Sequence, residues 1–390
     1  MLELLFLLLP VAVLYGWFIG RRESGRRSGF FHLRHRREYA AGVNYLLNDE
    51  ADKAVDILTR VLPLERDTFD LQISLGVLFR RKGEIDKAVR IHQNLLSLEN
   101  LSQQQRDEAD FALAMDYLSL RVYDRSIPVL QRLLKSPERK KEAAETLIRI
   151  SEQLREWDRA IMYSEKFRDL LSSPERVKAL ANYHCELADA SAEAGSYETA
   201  VEQYRRALEI DPKCFRAIFS EAKLYLAEQD YTAARQTIDL APEAQPDCVM
   251  FCVPVLAACF HKPESSPEYV RILMRWFAVS FSAAVASELV RCLMSRGNEG
   301  GARKLAIGYL RENPNVLMLS RFLELVGKSE ADPEVMDTMN YLVSIIEARF
   351  DVKDKYCCRS CGYVSKYLFW RCPKCGRWST VRPDDRFVSG

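Results

Sequence analysis

Two pairs of cysteines near the C-terminus have the spacing of a metal centre. Cys358 and Cys361 form one Cys-x-x-Cys turn, Cys372 and Cys375 form a second, and ten residues separate the pairs. Such a turn aims two thiolates at one point. Two turns supply four sulfurs, the donor set of a tetrahedral zinc or iron site. A glycine follows each pair, Gly362 and Gly376, and glycine suits the positive φ that a tight turn demands. A disulfide framework or two redox dithiols would use the same residue type, but paired turns with matched glycines favour one metal ion. Zinc is the default occupant and iron the runner-up. Four protein sulfurs leave no coordination position open, so the site stabilises a fold and does not catalyse. Cys357 adjoins the first pair, and the two-residue gap selects Cys358 over it. The seven remaining cysteines (185, 214, 248, 252, 259, 292 and 357) show no paired pattern, which fits a reducing compartment.

The segment that carries these ligands, residues 353–382, is short. Below about 40 residues a unit usually needs a metal, disulfides or other support. The Cys-Pro-x-Cys-Gly form resembles the knuckle of rubredoxins and zinc ribbons. Tyr356, Tyr363, Tyr367, Phe369, Trp370 and Trp378 crowd the segment. Some must cover the metal site; others are expected to pack on the helices before it, so that module and helices work as one unit. Lys353, Lys355, Arg359, Lys366, Arg371, Lys374 and Arg377 surround it. A nucleic-acid ribbon would look similar. The whole chain, however, balances 56 Lys and Arg against 55 Asp and Glu for a net charge of +1, which argues against a globally basic nucleic-acid binder. No nucleic-acid partner is expected.

Residues 38–350 lack strand-like alternation and read as successive helix pairs with a fixed period. Gly42, Tyr45 and Ala54 recur 34 residues later as Gly76, Phe79 and Ala88. Ala200 and Pro212 recur as Ala234 and Pro246, and Ala302 and Pro314 lie two periods beyond those. A 34-residue helical period is that of the tetratricopeptide repeat. Small residues are needed where the two helices of a repeat touch, and the aromatics Tyr45, Phe79, Tyr117 and Tyr225 fill the space between. The prolines are expected in the first turn of the next repeat. Residues 249–282 read as degenerate, with Pro254, Pro263 and Pro267 breaking the pattern, and 316–350 as helical but irregular. The predicted architecture is an all-α superhelical solenoid with a small four-cysteine module at its end. Stacked repeats form a concave binding groove. Tyr39, Val43, Arg80, Arg81, Phe219 and Lys223 are candidates for lining it, although each also fits an ordinary solvated helix face. The array is compatible with a homodimer.

The N-terminus has a different composition. Residues 4–19 carry no charged side chain, and a spanning helix needs about 17–25 apolar residues. Tyr15 and Trp17 sit near one end, where interfacial aromatics belong. A cleaved signal peptide would want positive charge before the apolar run; here Glu3 precedes it and the arginines follow. Residues 1–20 are therefore expected to form an uncleaved transmembrane helix. Residues 21–37 form a basic juxtamembrane segment, in which Arg21, Arg22, Arg26 and Arg27 lie nearest the lipid. The positive-inside rule places the N-terminus outside and the bulk of the chain in the cytoplasm. The arginines are also suited to anionic headgroups.

Catalytic motifs are missing from the sequence. There is no Walker-type loop, no HExxH and no GxSxG, and the five histidines (32, 35, 92, 184 and 261) are dispersed. His92 and His184 fall on amphipathic helices and read as packing or surface residues. An enzyme is disfavoured.

The combination resembles the lipopolysaccharide assembly protein B family of Gram-negative bacteria along the whole chain. The most specific pieces are the N-terminal segment through Gly16 and Trp17, the stretch Gly42–Leu47, the stretch Gly83–Gln93, and Tyr356–Thr380. Residues 250–300 depart most, with extra prolines and cysteines. The resemblance implies a non-enzymatic adaptor at the cytoplasmic face of the inner membrane, crossing it once with its N-terminus in the periplasm. Such proteins promote degradation of the deacetylase LpxC, which performs the committed step of lipid A synthesis, by the membrane-anchored protease FtsH. A YejM-type inner-membrane protein restrains the adaptor, and lipopolysaccharide itself is a further candidate ligand. In the family the four cysteines bind metal and the rubredoxin-like module packs against the repeats; Cys358, Cys361, Cys372 and Cys375 would carry that role here. Two other functions fit the same residues. One is a membrane scaffold that docks lipopolysaccharide-synthesis enzymes without controlling proteolysis. The other is an electron-transfer protein with iron in the four-cysteine site.

Overall fold

The computed structural model describes residues 44–45, 53, 57, 69–99, 101–314, 316–329, 337–338, 341 and 356–383. The expected anchor, the basic segment with Arg21, Arg22, Arg26 and Arg27, and the candidates Tyr39 and Val43 lie outside the described residues. Among the described residues no helix is long and apolar enough to cross a membrane. The chain divides into two compact units, residues 1–150 and 151–390.

The first unit is built from helix pairs. Helices α1 (Phe69–Lys82) and α2 (Ile85–Leu96) form one pair, and α3 (Gln103–Ser119) and α4 (Tyr123–Leu133) the next. Helix α5 (Lys140–Leu154) follows, and the second unit begins in its last turn. On α1 the buried positions are Phe69, Gln72, Leu75, Gly76 and Phe79, the three- and four-residue spacing of an amphipathic helix. Helix α3 starts at a capping box. Ser102 accepts from the Gln105 N–H while the Gln105 side chain accepts from the Ser102 N–H, which satisfies two orphan donors at once.

Gly76 shows why the repeat needs a small residue. A Cβ there would lie 2.3 Å from Nε2 of His92, a fully buried side chain on α2. Nδ1 of His92 pairs with the buried Asp116 carboxylate, which also accepts from Arg80 Nη1 at 2.8 Å. Arg80 thus ties α1 to α3 within this unit, whereas Arg81 is exposed.

The second unit continues the pattern with α6 (Trp157–Lys166), α7 (Pro174–Glu193), α8 (Tyr197–Ile210), α9 (Phe215–Ala227) and α10 (Tyr231–Ile238). Ala88, Ala160, Ala200, Ala234 and Ala302 are all completely buried, as the period requires. A short helix, α11 (Ala241–Ala244), and a 3-10 turn, Pro246–Cys248, lead into α12 (Val249–Ala258) and α13 (Pro267–Ser280). Residues 249–282 depart from the regular repeat, with 3-10 turns before and between their helices. The prolines do not abolish the helix pair. Pro263 opens a 3-10 turn and Pro267 occupies the first turn of α13, where no intrahelical N–H is required. Of these three prolines, Pro254 is the one inside a helix. A core containing the fully buried Trp276 and Tyr269 holds the pair together. The prolines of the period are also shifted from the expected place. Pro212 lies in the turn before α9, and Pro246 in the 3-10 turn before α12.

Helices α14 (Ala283–Ser295), α15 (Glu299–Glu312) and α16 (Val316–Ser329) complete the described array. The C-terminal module is a three-stranded antiparallel sheet of β1 (Tyr356–Cys358), β2 (Val364–Ser365) and β3 (Val381–Pro383), in the order β2-β1-β3. Tyr356 faces Ser365 on one side and Pro383 on the other. The architecture is a tetratricopeptide-like helical solenoid ending in a four-cysteine metal module.

Candidate metal centre and its seat on the helices

The sulfurs of Cys358, Cys361, Cys372 and Cys375 all lie within 4.8 Å of one another. Cys358 and Cys375 are 3.8 Å apart at Sγ, and Cys361 and Cys372 3.6 Å. A tetrahedron with metal–sulfur bonds of about 2.3 Å has edges of about 3.8 Å, so the donor set fits one four-thiolate ion. Each knuckle closes the same way. The Gly362 N–H donates to the Cys358 carbonyl at 2.9 Å, and the Gly376 N–H to the Cys372 carbonyl at 2.8 Å. Both glycines have φ of +70°, the left-handed region the sequence called for.

The local electrostatics also ask for a cation. Burial opposes ionisation of Cys358, yet hydrogen bonding with the Thr380 hydroxyl and with the backbone N–H groups of Ser360 and Cys361 draws its thiol down to about 6. Burial pushes the Cys372 thiol up to about 12. Thiols this close oppose one another's ionisation, and a bound divalent ion removes that conflict. Bound metal would lock the two knuckles together and so hold the sheet. Cys357 points elsewhere, with its Sγ 3.8 Å from the Cys358 carbonyl.

The module is seated on the helices of the second unit through aromatic rings and a few charged groups. Glu152, near the end of α5, is the centre of one contact. Its carboxylate accepts from Trp378 Nε1 at 3.2 Å and from the Tyr183 hydroxyl, and pairs with Arg371 Nη2 at 3.0 Å. The Trp378 ring stands edge-on to Trp157 and to Tyr183, at 5.8 and 5.9 Å between centroids. Arg371 lies over the Trp378 ring at 5.6 Å. Burial, together with the Glu152 charge, holds the Tyr183 phenol well above its ordinary range, so it stays a donor.

A second contact centres on Arg216 of α9, a guanidinium 3% exposed. It sits 5.8 Å from the Trp370 ring and 6.0 Å from the Trp378 ring. Glu186 and Asp189 of α7 balance its charge at 2.8 and 2.6 Å. Phe215 meets Trp370, Phe251 of α12 stacks on Tyr356, and Asn182 Nδ2 donates to Ser379 Oγ at 3.1 Å. Tyr367, by contrast, is 72% exposed.

The groove candidates fall in two settings. Phe219 stacks on Phe215 and carries Lys223 over its ring at 5.6 Å, so both lie beside the seat of the module. Arg80 is held by Asp116, as described. Sequence reasoning did not find Glu152, Trp157, Tyr183, Asn182 or Arg216. The only available signal was the density of aromatics in the module, which announced a docking surface without naming its other half. His184 is buried, with Nδ1 2.8 Å from Gln203 Oε1.

Fold and site together define a helical-repeat protein with a seated four-thiolate metal module. Residues 73–108 and 191–249 match the tetratricopeptide repeat, and residues 356–383 match a rubredoxin metal binding domain. Along its whole length the chain is similar to lipopolysaccharide assembly protein B. The Escherichia coli K12 protein is 28% identical over 383 residues, covering 98% of each chain. The Haemophilus influenzae protein is 28% identical over 394 residues, again 98% of each. Among solved structures, MamA is 20% identical with a TM-score of 0.31, covering 47% of this chain and 96% of that one.

Proposed function

We propose that this protein is a non-enzymatic, membrane-anchored adaptor that regulates lipopolysaccharide synthesis by promoting FtsH-dependent degradation of LpxC. The observation that carries the reading is the end-to-end similarity to lipopolysaccharide assembly protein B, which includes the repeats and the metal module in one alignment. Helical repeats are a binding architecture, and the four-thiolate site supports a fold without offering a catalytic position. A role for the apolar segment at residues 4–19 follows from physics. Confining an adaptor to the surface that holds a membrane protease raises the effective concentration of the pair. The cytoplasmic placement and a YejM-type restraining partner belong to the same proposal, with zinc as the metal.

The test is an LpxC degradation chase in cells depleted of this protein. The expected result is a longer LpxC half-life, restored by the intact chain and not by one lacking residues 1–20. An unchanged half-life would replace the adaptor with a scaffold that docks synthesis enzymes.

A further inference from the structure

Outside the seat of the module, the second unit has a cleft of about 390 Å³ between α10 and α13. Its walls are Thr232, Arg235, Gln236 and Asp239 on one side and Glu268, Arg271, Ile272 and Arg275 on the other. We propose that this cleft binds a phosphomonoester group, a function separate from the adaptor reading above.

Three guanidinium groups converge here from two helices. Arg271 and Arg275 are one turn apart on α13, so they share a face, and Arg235 approaches from α10. Arg235 is held in place by Glu268 at 3.0 Å and by the Phe260 ring at 5.0 Å. Arg275 is held by Asp239, which also accepts from the buried Trp276 Nε1 at 2.8 Å. These contacts orient two of the forks. Arg271 has no ion-pair partner among the described residues, although it lines the cleft.

Charge decides the ligand class. The three arginines exceed the two carboxylates by one unit, so the cleft favours an anion. A guanidinium carries five donors and each of the two acids occupies only part of one fork. The side chains of Arg275 and Glu268 are more than half exposed, and exposed pairs of this kind are weak enough to rearrange. A carboxylate brings one charge and two oxygens. A phosphomonoester brings about −1.5 to −2 charge and three terminal oxygens near neutral pH, which matches three forks better. Bidentate geometry is the reason arginine is preferred over lysine at such sites.

The phosphate could come from a lipid headgroup or a soluble species, and one experiment separates them. The full chain in neutral detergent would be titrated calorimetrically with inorganic phosphate and with short-chain phosphatidic acid. Saturable binding that weakens about tenfold in Arg271→Ala, and further in Arg271→Ala with Arg275→Ala, supports the site; one lost charge-assisted hydrogen bond accounts for a factor of that size. Thermal melts of both variants should match the parent, because the arginines are surface groups. Similar affinity for the two probes assigns a soluble phosphate, and markedly tighter phosphatidic acid assigns a lipid. The proposal is overturned if neither probe saturates, if the variants bind like the parent, or if a glutamate-rich peptide binds more tightly than both.

Discussion

At the scale of single residues, the most consequential side chain outside the cysteines is Glu152. Its carboxylate takes a hydrogen bond from Trp378 and an ion pair from Arg371, which are 226 and 219 residues away in the chain. Its side chain is 11% exposed, so both contacts are largely shielded from water. Hydrogen bonds to charged groups contribute about 1.5–3 kcal/mol each, and removing one partner strands the other. Glu152→Ala should therefore destabilise the second unit by about 2–4 kcal/mol and loosen the module. Tryptophan emission during denaturant unfolding reads this directly, because Trp378 donates to the carboxylate and Trp157 stands edge-on to Trp378. A midpoint equal to the parent's would show that the aromatic contacts alone seat the module. None of this was legible in the sequence. The four metal ligands were, since their meaning lies in local spacing. Glu152 is one acid among many on helix surfaces, and its role exists only once distant segments meet.

At the scale of elements, one turn recurs between paired helices. A residue in the left-handed region ends the first helix at Gly83, Arg121, Arg155, Gly195, Gln229 and Gly297. The next N–H then reaches back five residues, as from Glu84 to Phe79, Val122 to Tyr117, Glu156 to Ser151 and Asp230 to Tyr225. This is the Schellman pattern, in which glycine is the favoured residue. Arg121, Arg155 and Gln229 adopt the conformation against a steric penalty of about 1–2 kcal/mol, while glycine would lose extra unfolded-state entropy of about 0.4–1 kcal/mol. The balance predicts that Arg121→Gly, Arg155→Gly and Gln229→Gly each stabilise the protein by roughly 0.5–1 kcal/mol. Phe281 also has positive φ, but its ring stacks on Tyr309 and lies tilted against Phe277, each at 5.0 Å. Phe281→Gly should therefore be destabilising. Melting temperatures of the four variants check the contrast, and a uniform shift in either direction would refute it. Short polar turns at Gly83, Arg155 and Gly195 are legible in the sequence; the left-handed conformation of Arg121, Arg155 and Gln229 is not, because the flanking helices impose it. The same distinction explains residues 249–282. Proline reads as a breaker by composition, but Pro263 and Pro267 occupy helix starts, a placement that composition does not reveal.

At the scale of the molecule, the metal site and the helices of the second unit depend on one another. The strands of the module are two or three residues long, and the apolar cluster inside it is built partly from the cysteines themselves. A unit of this size has too little core to hold its shape without the ion. Once it unfolds, α5, α7, α9 and α12 lose the partners of Glu152, Asn182, Arg216, Phe215 and Phe251 together. Arg216 would keep Glu186 and Asp189 but lose both tryptophan faces, and Phe215 and Phe251 would gain water. Replacing Cys358 and Cys361 by serine, or stripping the metal with a chelator, should therefore do more than release the C-terminus. Hydrogen exchange is expected to accelerate across 356–383 and also in α7 and α9. If the lost contacts amount to about 3 kcal/mol, the transition of the second unit should fall by roughly 6–12 °C. Restoring metal to the chelated parent should reverse both effects, whereas the serine variant should not respond. Unchanged protection in α7 and α9 without metal would mean that the helices hold their shape alone and the module is only a passenger on them.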